Sequence, residues 1–147
     1  MSRKLFPTAD DCEAAFYDAF ERADLKLMMA VWADEPDIIC IHPLGARLAG
    51  TSAVRESFVE LFAGGPNVII KIAEWRKNEG PTLAVHCVYE TFTLRVDPTK
   101  EKQRTPPVLA TNVFMLTPNG WRIILHHASL SPHGTVTEEQ GVSRILH

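Results

Sequence analysis

The stretch VLATNVFMLTPNGWRIILHHAS, residues 108–129, decides how this chain folds. Two apolar runs rich in β-branched and aromatic residues flank Thr117-Pro118-Asn119-Gly120, where proline presets φ and Asn-Gly tolerates a left-handed backbone. The stretch therefore predicts a β-hairpin. Both of its faces are mostly apolar, so both need a cover. We expect helices of the same chain on one face and a second subunit on the other.

Alternation along the hairpin assigns each side chain to one of the two faces. The pattern predicts that Asn112, Trp121 and His127 share a face, and we interpret this face as the lining of a cavity. His126 is then predicted to lie on the opposite face, in the contact between sheets of two subunits.

Three helical segments are predicted before the sheet. Apolar residues at helical spacing follow candidate caps at Thr8, Asp24 and Thr51. A short buried strand, 37–42, separates the second and third helices, and further strands are predicted at 68–76 and 83–96, with a charged loop at 97–107. The predicted fold class is α+β: a curved antiparallel sheet packs against three N-terminal helices and encloses a cone-shaped cavity.

Composition narrows the possible functions. The 147 residues suit one domain, predicted at 1–131 and followed by a polar tail at 132–147. A net charge of −3 argues against nucleic acid as a partner. No apolar run approaches membrane-spanning length and no signal-like segment follows the first residues, so we expect a cytoplasmic protein. Three cysteines without metal spacing and the lack of a glycine-rich phosphate loop predict no metal and no cofactor.

Several landmarks occur in a recognisable order. They are WADEPD at 32–37 leading to IHP at 41–43, GT at 50–51 before VRESF at 54–58, ATNVF at 110–114, and NGWRI at 119–123 before HHAS at 126–129. Together they resemble the nuclear transport factor 2-like superfamily, and its SnoaL-like branch in particular. The resemblance implies a homodimer formed through the sheet and a cavity for a small hydrophobic or cyclic ligand. It implies no single activity, because the family holds isomerases, dehydratases, polyketide cyclases and scaffold domains.

Two residues are candidates for chemistry. Enzymes of the resembled family project an acidic residue from the sheet into the cavity and add a hydrogen-bond donor for an enolate-like oxygen. The hairpin here offers no carboxylate, so His127 is the candidate general base. Glu90, among apolar residues of the strand at 83–96, is the candidate carboxylate. The alternatives are a histidine satisfied by its neighbours and a glutamate paired across strands.

Other candidates would contact a ligand without reacting with it. Tryptophans could stack on a flat ligand, although core packing is the alternative for each. A histidine at the end of the first strand could face the cavity mouth or cap the loop, and an arginine on the third helix could hold an anion or form an ion pair. The predicted ligand-binding set is Trp32, His42, Arg55, Trp75, Tyr89, Asn112 and Trp121.

Two functions stay open at this point. The first is a small-molecule-binding protein with an apolar cavity, with or without isomerase, dehydratase or cyclase activity on a small cyclic or ketone-like substrate. The second is a non-catalytic dimerisation or scaffold domain. An open cavity lined by convergent polar side chains would favour the first, and a cavity filled by phenylalanine and tryptophan would favour the second.

Overall fold

The computed structural model describes residues 5–95 and 106–131. The tail at 132–147 and most of the loop at 97–107 lie outside these residues. The helices are α1 (Ala9–Arg22), α2 (Leu25–Val31) and α3 (Thr51–Phe62). The strands are β1 (Ile39–Ile41), β2 (Leu48–Ala49), β3 (Val68–Glu79), β4 (Leu83–Leu94), β5 (Val108–Thr117) and β6 (Gly120–Leu130). The α+β prediction is confirmed. No helix in the described ranges is long and apolar enough to cross a membrane.

Local capping explains where the helices begin. Thr8 accepts a hydrogen bond from the backbone N–H of Asp11, and Asp24 caps α2 in the same way. The prediction that Thr51 caps α3 is wrong. Gly50 precedes the helix at φ +88°, a conformation that favours glycine, and the Thr51 hydroxyl donates instead to Asp34 at 3.0 Å.

One six-stranded sheet carries the site, in the order β2-β1-β6-β5-β4-β3. The last four strands in sequence form an antiparallel meander, and the short β1 pairs in parallel with β6. The predicted hairpin closes where Thr117 pairs with Gly120, across Pro118 and Asn119. Helix α1 lies across the face of the sheet that carries Glu90 and Asn112, which we call the inner face. The opposite face is the outer face.

A β-bulge in β6 changes which histidine faces inward. Val113 pairs with Leu125 but Phe114 pairs with Ile123, so Ile124 is an extra residue on β6. Beyond the bulge the alternation of side chains is shifted by one residue. His126 lies opposite Asn112 and is 2% exposed, whereas His127 is exposed. The prediction that His127 lines the interior and His126 the opposite face is therefore wrong, because it assumed an uninterrupted strand.

Aromatic rings fill much of the space between the helices and the inner face. Phe16 and Phe58 are fully buried with ring centres 6.3 Å apart, and Phe20 bridges them to Phe92 of β4 at 5.7 Å. Trp32, 1% exposed, packs edge-on against Phe16. Edge-to-face packing of this kind fixes the position of α1 on the sheet.

Candidate functional site

Six polar side chains are buried where α1 crosses strands β4, β5 and β6. We call this set the polar network: Glu13, Tyr17, His86, Glu90, Asn112 and His126, none more than 7% exposed. Glu13 and Tyr17 are four residues apart and therefore lie on one side of α1. The β4 pair lies at even positions and therefore on one face of the strand. Because a buried polar group without a partner is costly, burial and the contacts within this set together decide its protonation states.

Asn112 is the centre of the polar network. Its Nδ2 donates to Glu13 Oε2 at 3.1 Å and to the Tyr17 hydroxyl at 3.0 Å. Its Oδ1 lies 2.6 Å from Nδ1 of His126. An amide oxygen only accepts, so His126 carries its proton on Nδ1. Burial, with the charges of His42 and His127, lowers the pKa of His126 to about 3, and this imidazole is neutral at pH 7.

Glu90 and Tyr17 form a short hydrogen bond of 2.5 Å. Glu90 is 3% exposed, and burial raises its pKa to about 7, assisted by the negative charge of Glu13 and opposed by the Tyr17 hydrogen bond. Burial and Glu90 together raise the pKa of Tyr17 as well. When Glu90 is protonated it donates to the phenol oxygen, and the phenol hydrogen becomes available to a ligand.

His86 connects the polar network to the surface. Its Nε2 lies 2.7 Å from Glu79 Oε1, and its Nδ1 makes an off-axis ion-pair contact of 3.0 Å with Glu13 Oε2. Burial opposes a charge here, but Glu13 and Glu79 outweigh it and raise the pKa of His86. Both ring nitrogens lie beside carboxylates, which favours the imidazolium form.

One trio of side chains near the helix has the geometry of a metal site. Ligand atoms of Asp10, Glu13 and His86 all lie within 4.8 Å of one another. However, Lys77 already lies 2.6 Å from Asp10 and 2.9 Å from Glu74, and His86 is paired on both sides. The trio is better explained as part of a balanced group of ion pairs.

A cleft of about 300 Å³ between α1 and β3 gives solvent access to the polar network. Its lining is Asp10, Glu13, Ala14, Tyr17, Ile72 and Glu74. Glu13 and Tyr17 are the network members that this cleft reaches. Both bind the same nitrogen of Asn112, so their contacting oxygens lie no more than about 6.1 Å apart. The residues that bear a carboxylate and a phenol thus line one small cleft.

The structure brings together some of the predicted site residues. Glu90 and Asn112 lie in the polar network on the inner face, as predicted for Asn112, although the partner of Glu90 is a tyrosine of α1 and not a cross-strand cation. His127 is exposed outside it. Trp32 lies in the core between Phe16 and Phe58.

The other predicted ligand-binding residues are spread over the molecule. Trp121 is 9% exposed at the start of β6, on the Asn112 side as predicted. Trp75 lies at the bulge of β3, and Tyr89 is half-buried on the outer face. Arg55 is exposed on α3, and its predicted alternative, an ion pair, is not formed with any described residue. His42 lies beside a different pocket, 3.1 Å from Ser57.

Sequence reasoning missed Glu13 and Tyr17. Each directly follows a member of the apolar stripe of α1, Cys12 and Phe16 respectively, so each lies at the border of that stripe. A carboxylate and a phenol four residues apart beside a buried stripe were the available signal. Only the structure shows that both reach Asn112.

Comparison with known proteins places the fold in a family. A SnoaL-like domain model matches residues 10–133. A candidate calcium/calmodulin-dependent protein kinase type II association domain from Thiobacillus denitrificans is 35% identical, with a TM-score of 0.77 over 87% of this chain and 98% of that one. A candidate dehydratase of the NTF2-like family from Streptomyces avermitilis is 26% identical, with a TM-score of 0.71 over 82% and 92%.

A ketosteroid isomerase-like protein from Erwinia carotovora atroseptica shares the fold at 16% identity, with a TM-score of 0.67 over 84% of this chain and 94% of that one. No functionally curated protein matches the sequence. The family model spans most of the chain, from the start of α1 to beyond the end of β6. This protein therefore belongs to the SnoaL-like domain family, within the NTF2-like superfamily.

Proposed function

We propose that this protein binds a small, cyclic or ketone-like carbonyl compound in the cleft between α1 and β3 and catalyses proton transfer at the carbon next to the carbonyl. One observation carries the proposal: Glu13 and Tyr17, the hydrogen-bond partner of Glu90, line the same cleft and share one nitrogen of Asn112. Proton transfer of this kind underlies both isomerisation and dehydration. Relatives described as a dehydratase and as ketosteroid isomerase-like support the same reaction class.

Each network member has a defined role in the proposed reaction. Glu13 removes the proton from the α-carbon, and the electron pair of the broken C–H bond moves onto the carbonyl oxygen. Tyr17 donates a hydrogen bond to that oxygen as its negative charge develops. Tyr17 donates to Glu90 in the structure, and protonation of Glu90 reverses this hydrogen bond, which leaves the phenol hydrogen free for the ligand. Returning the proton to another carbon completes an isomerisation.

Asn112 and His126 act as positioning residues. The two N–H groups of the amide hold the base and the phenol at the same time, at 3.1 and 3.0 Å. His126, neutral and buried, fixes the amide orientation by donating to Oδ1 at 2.6 Å. A site held in this way needs little reorganisation when charge develops.

The reaction can be tested without knowing the natural substrate. The protein is incubated in D2O with a panel of small cyclic ketones, and exchange of the α-protons for deuterium is followed by NMR. We expect faster exchange than in buffer for at least one ketone. Tyr17→Phe should slow it by about 100-fold or more, the usual loss when one oxyanion donor is removed. Glu13→Gln should abolish the catalysed part.

The chain offers a matched control. Tyr89, the second of its two tyrosines, lies on the outer face, so Tyr89→Phe should leave exchange unchanged. Exchange that is equal in Tyr17→Phe and the native protein would contradict the assigned donor. If no ketone of the panel binds or exchanges, the catalytic proposal fails.

A second candidate function is an association domain that pairs with another copy through the outer face of the sheet. The relative described as an association domain is 35% identical over nearly its full length. The interior is largely filled by aromatic rings, as expected for a scaffold. On the outer face Ile69 is 40% exposed and Leu83 is 48% exposed, while the described helices contact the inner face.

Sedimentation tests the second candidate. We expect a dimer at micromolar concentration that dissociates in Val113→Lys, which places a charge in the middle of the outer face. The control is Glu35→Lys, which introduces the same side chain at an exposed position and should stay dimeric. A native protein that sediments as a monomer would exclude pairing through this face.

A further inference from the structure

A second pocket lies on the other side of the molecule, between α3 and the short strands β1 and β2. Its volume is about 480 Å³, and it shares no residue with the cleft between α1 and β3. Its lining is His42, Leu48, Ala53, Glu56, Ser57, Glu60 and Leu61. The helical members follow i, i+3, i+4, i+7 spacing, so one face of α3 forms a continuous wall of the pocket.

Hydrogen bonds fix the tautomer of the histidine in this pocket. The Ser57 hydroxyl donates to the carbonyl of Val54 at 2.7 Å, since a carbonyl oxygen only accepts. Ser57 Oγ, 3.1 Å from Nε2 of His42, must then accept from that nitrogen. His42 therefore carries its proton on Nε2 and a lone pair on Nδ1. Within the described chain no residue hydrogen-bonds to this Nδ1.

The polar groups that the pocket offers to a ligand are all acceptors. They are the carboxylates of Glu56 and Glu60 and the imidazole of His42, whose Nδ1 carries a lone pair, because the hydroxyl hydrogen of Ser57 is already donated within the helix. The lining contains no lysine, arginine or other free donor. A ligand must bring its own N–H or O–H groups, and the two carboxylates favour one with positive charge. Leu48 and Leu61 supply apolar contact for a hydrocarbon body.

We infer that this pocket binds a small primary alkylammonium ion. The ammonium group has three donors, which match the three acceptors: the carboxylates of Glu56 and Glu60, and Nδ1 of His42. The hydrocarbon part lies against the leucines. This site is independent of the carbonyl site, since the two openings have no residue in common.

Three probes with one ring and different head groups test the inference: cyclohexylamine, cyclohexanol and cyclohexanecarboxylate. Each is titrated at pH 7 into the full-length protein with ¹⁵N-histidine and ¹³C-methyl labels. Cyclohexylamine, an ammonium ion at this pH, should give saturable shifts of the Leu48, Ala53 and Leu61 methyl signals. The Nδ1 signal of His42 should move in parallel as its lone pair gains a donor. The alcohol should bind more weakly, and the carboxylate not at all.

Surface variants keep the test independent of folding. Glu60→Gln removes one carboxylate from an exposed position and should weaken cyclohexylamine binding about fivefold, the scale of one exposed ion pair. Glu35→Gln, at an exposed glutamate outside the pocket, should leave binding unchanged. Equal binding of the amine and the carboxylate would overturn the inference, as would amine shifts that do not saturate or that persist unchanged in Glu60→Gln. Neither outcome bears on the ketone-exchange test of the proposed function, because the two sites share no residue.

Discussion

Replacing Glu90 with glutamine should change how the stability of this protein depends on pH. The native state holds the Glu90 proton up to a pKa of about 7, whereas an unfolded glutamate releases it near the ordinary value of 4.5. Between these two values the native state binds more protons than the unfolded state. The free energy of unfolding contributed by Glu90 therefore falls as pH rises from 4.5 to 7 and is constant above and below that window.

The size of the effect follows from the same two values. Each pH unit in the window lowers the contribution by 1.36 kcal/mol, which gives about 3 kcal/mol in total. Glu90 is 3% exposed, so solvent screening takes away little of this amount. Glutamine has the shape of glutamate and no charge. The variant should therefore gain about 3 kcal/mol relative to the native protein between pH 4.5 and pH 8, whatever the cost of its own buried amide.

Urea unfolding followed by tryptophan fluorescence at pH 4.5, 6 and 8 measures this difference. Protein concentration is held fixed, so that any self-association cancels. Subtracting the unfolding free energies of the two proteins also cancels the titration of the histidines. The control Glu35→Gln, at an exposed position, should give a pH dependence parallel to that of the native protein. A difference that stays constant across the three pH values, or that shrinks as pH rises, would refute a buried, proton-holding Glu90.

Three further predictions test the geometry. His126→Ala should lower the free energy of unfolding by about 2–4 kcal/mol because it opens a cavity and removes the partner of a buried amide oxygen, whereas His127→Ala should change it by less than about 0.5 kcal/mol in the same urea assay. Histidine NMR should show the buried His126 ring neutral from pH 8 down to pH 5, with its proton on Nδ1. Phe58→Ala should cost about 3–5 kcal/mol and lower the thermal midpoint, because it removes a fully buried ring from the aromatic cluster.

The starts of α1 and α2 and the closing hairpin were predictable because their signals are local. Thr8 and Asp24 each cap the helix that follows, and the Asn-Gly turn closes β5 onto β6. In these places the residues that make the contact lie within three positions of one another. Propensity and side-chain chemistry alone then decide the backbone.

The candidate site was only partly predictable because it depends on register and on contacts distant in sequence. One extra residue, Ile124, reversed the assignment of His126 and His127 although the strand itself was correctly predicted. A bulge of this kind has no strong sequence signal when the residues around it are all apolar. Glu13 and Asn112 meet across 99 positions, which periodicity within α1 or β5 cannot reveal.

The uneven distribution of polarity along α1 indicates why the polar network is present. Around Phe20 the helix packs against the sheet through the ring of Phe92, and a polar contact beside it lies at the edge, where Glu21 accepts from a backbone N–H of β3. Around Glu13 and Tyr17 the same layer holds carboxylates, an amide and imidazoles, although buried charges of this kind are rarely more stabilising than apolar residues of equal volume. Stability alone would favour aromatic residues along the whole layer between α1 and the sheet. The polar end is also the end with a cleft to solvent, so its composition is better explained by a ligand that must reach Tyr17 and Glu13 than by the needs of the fold.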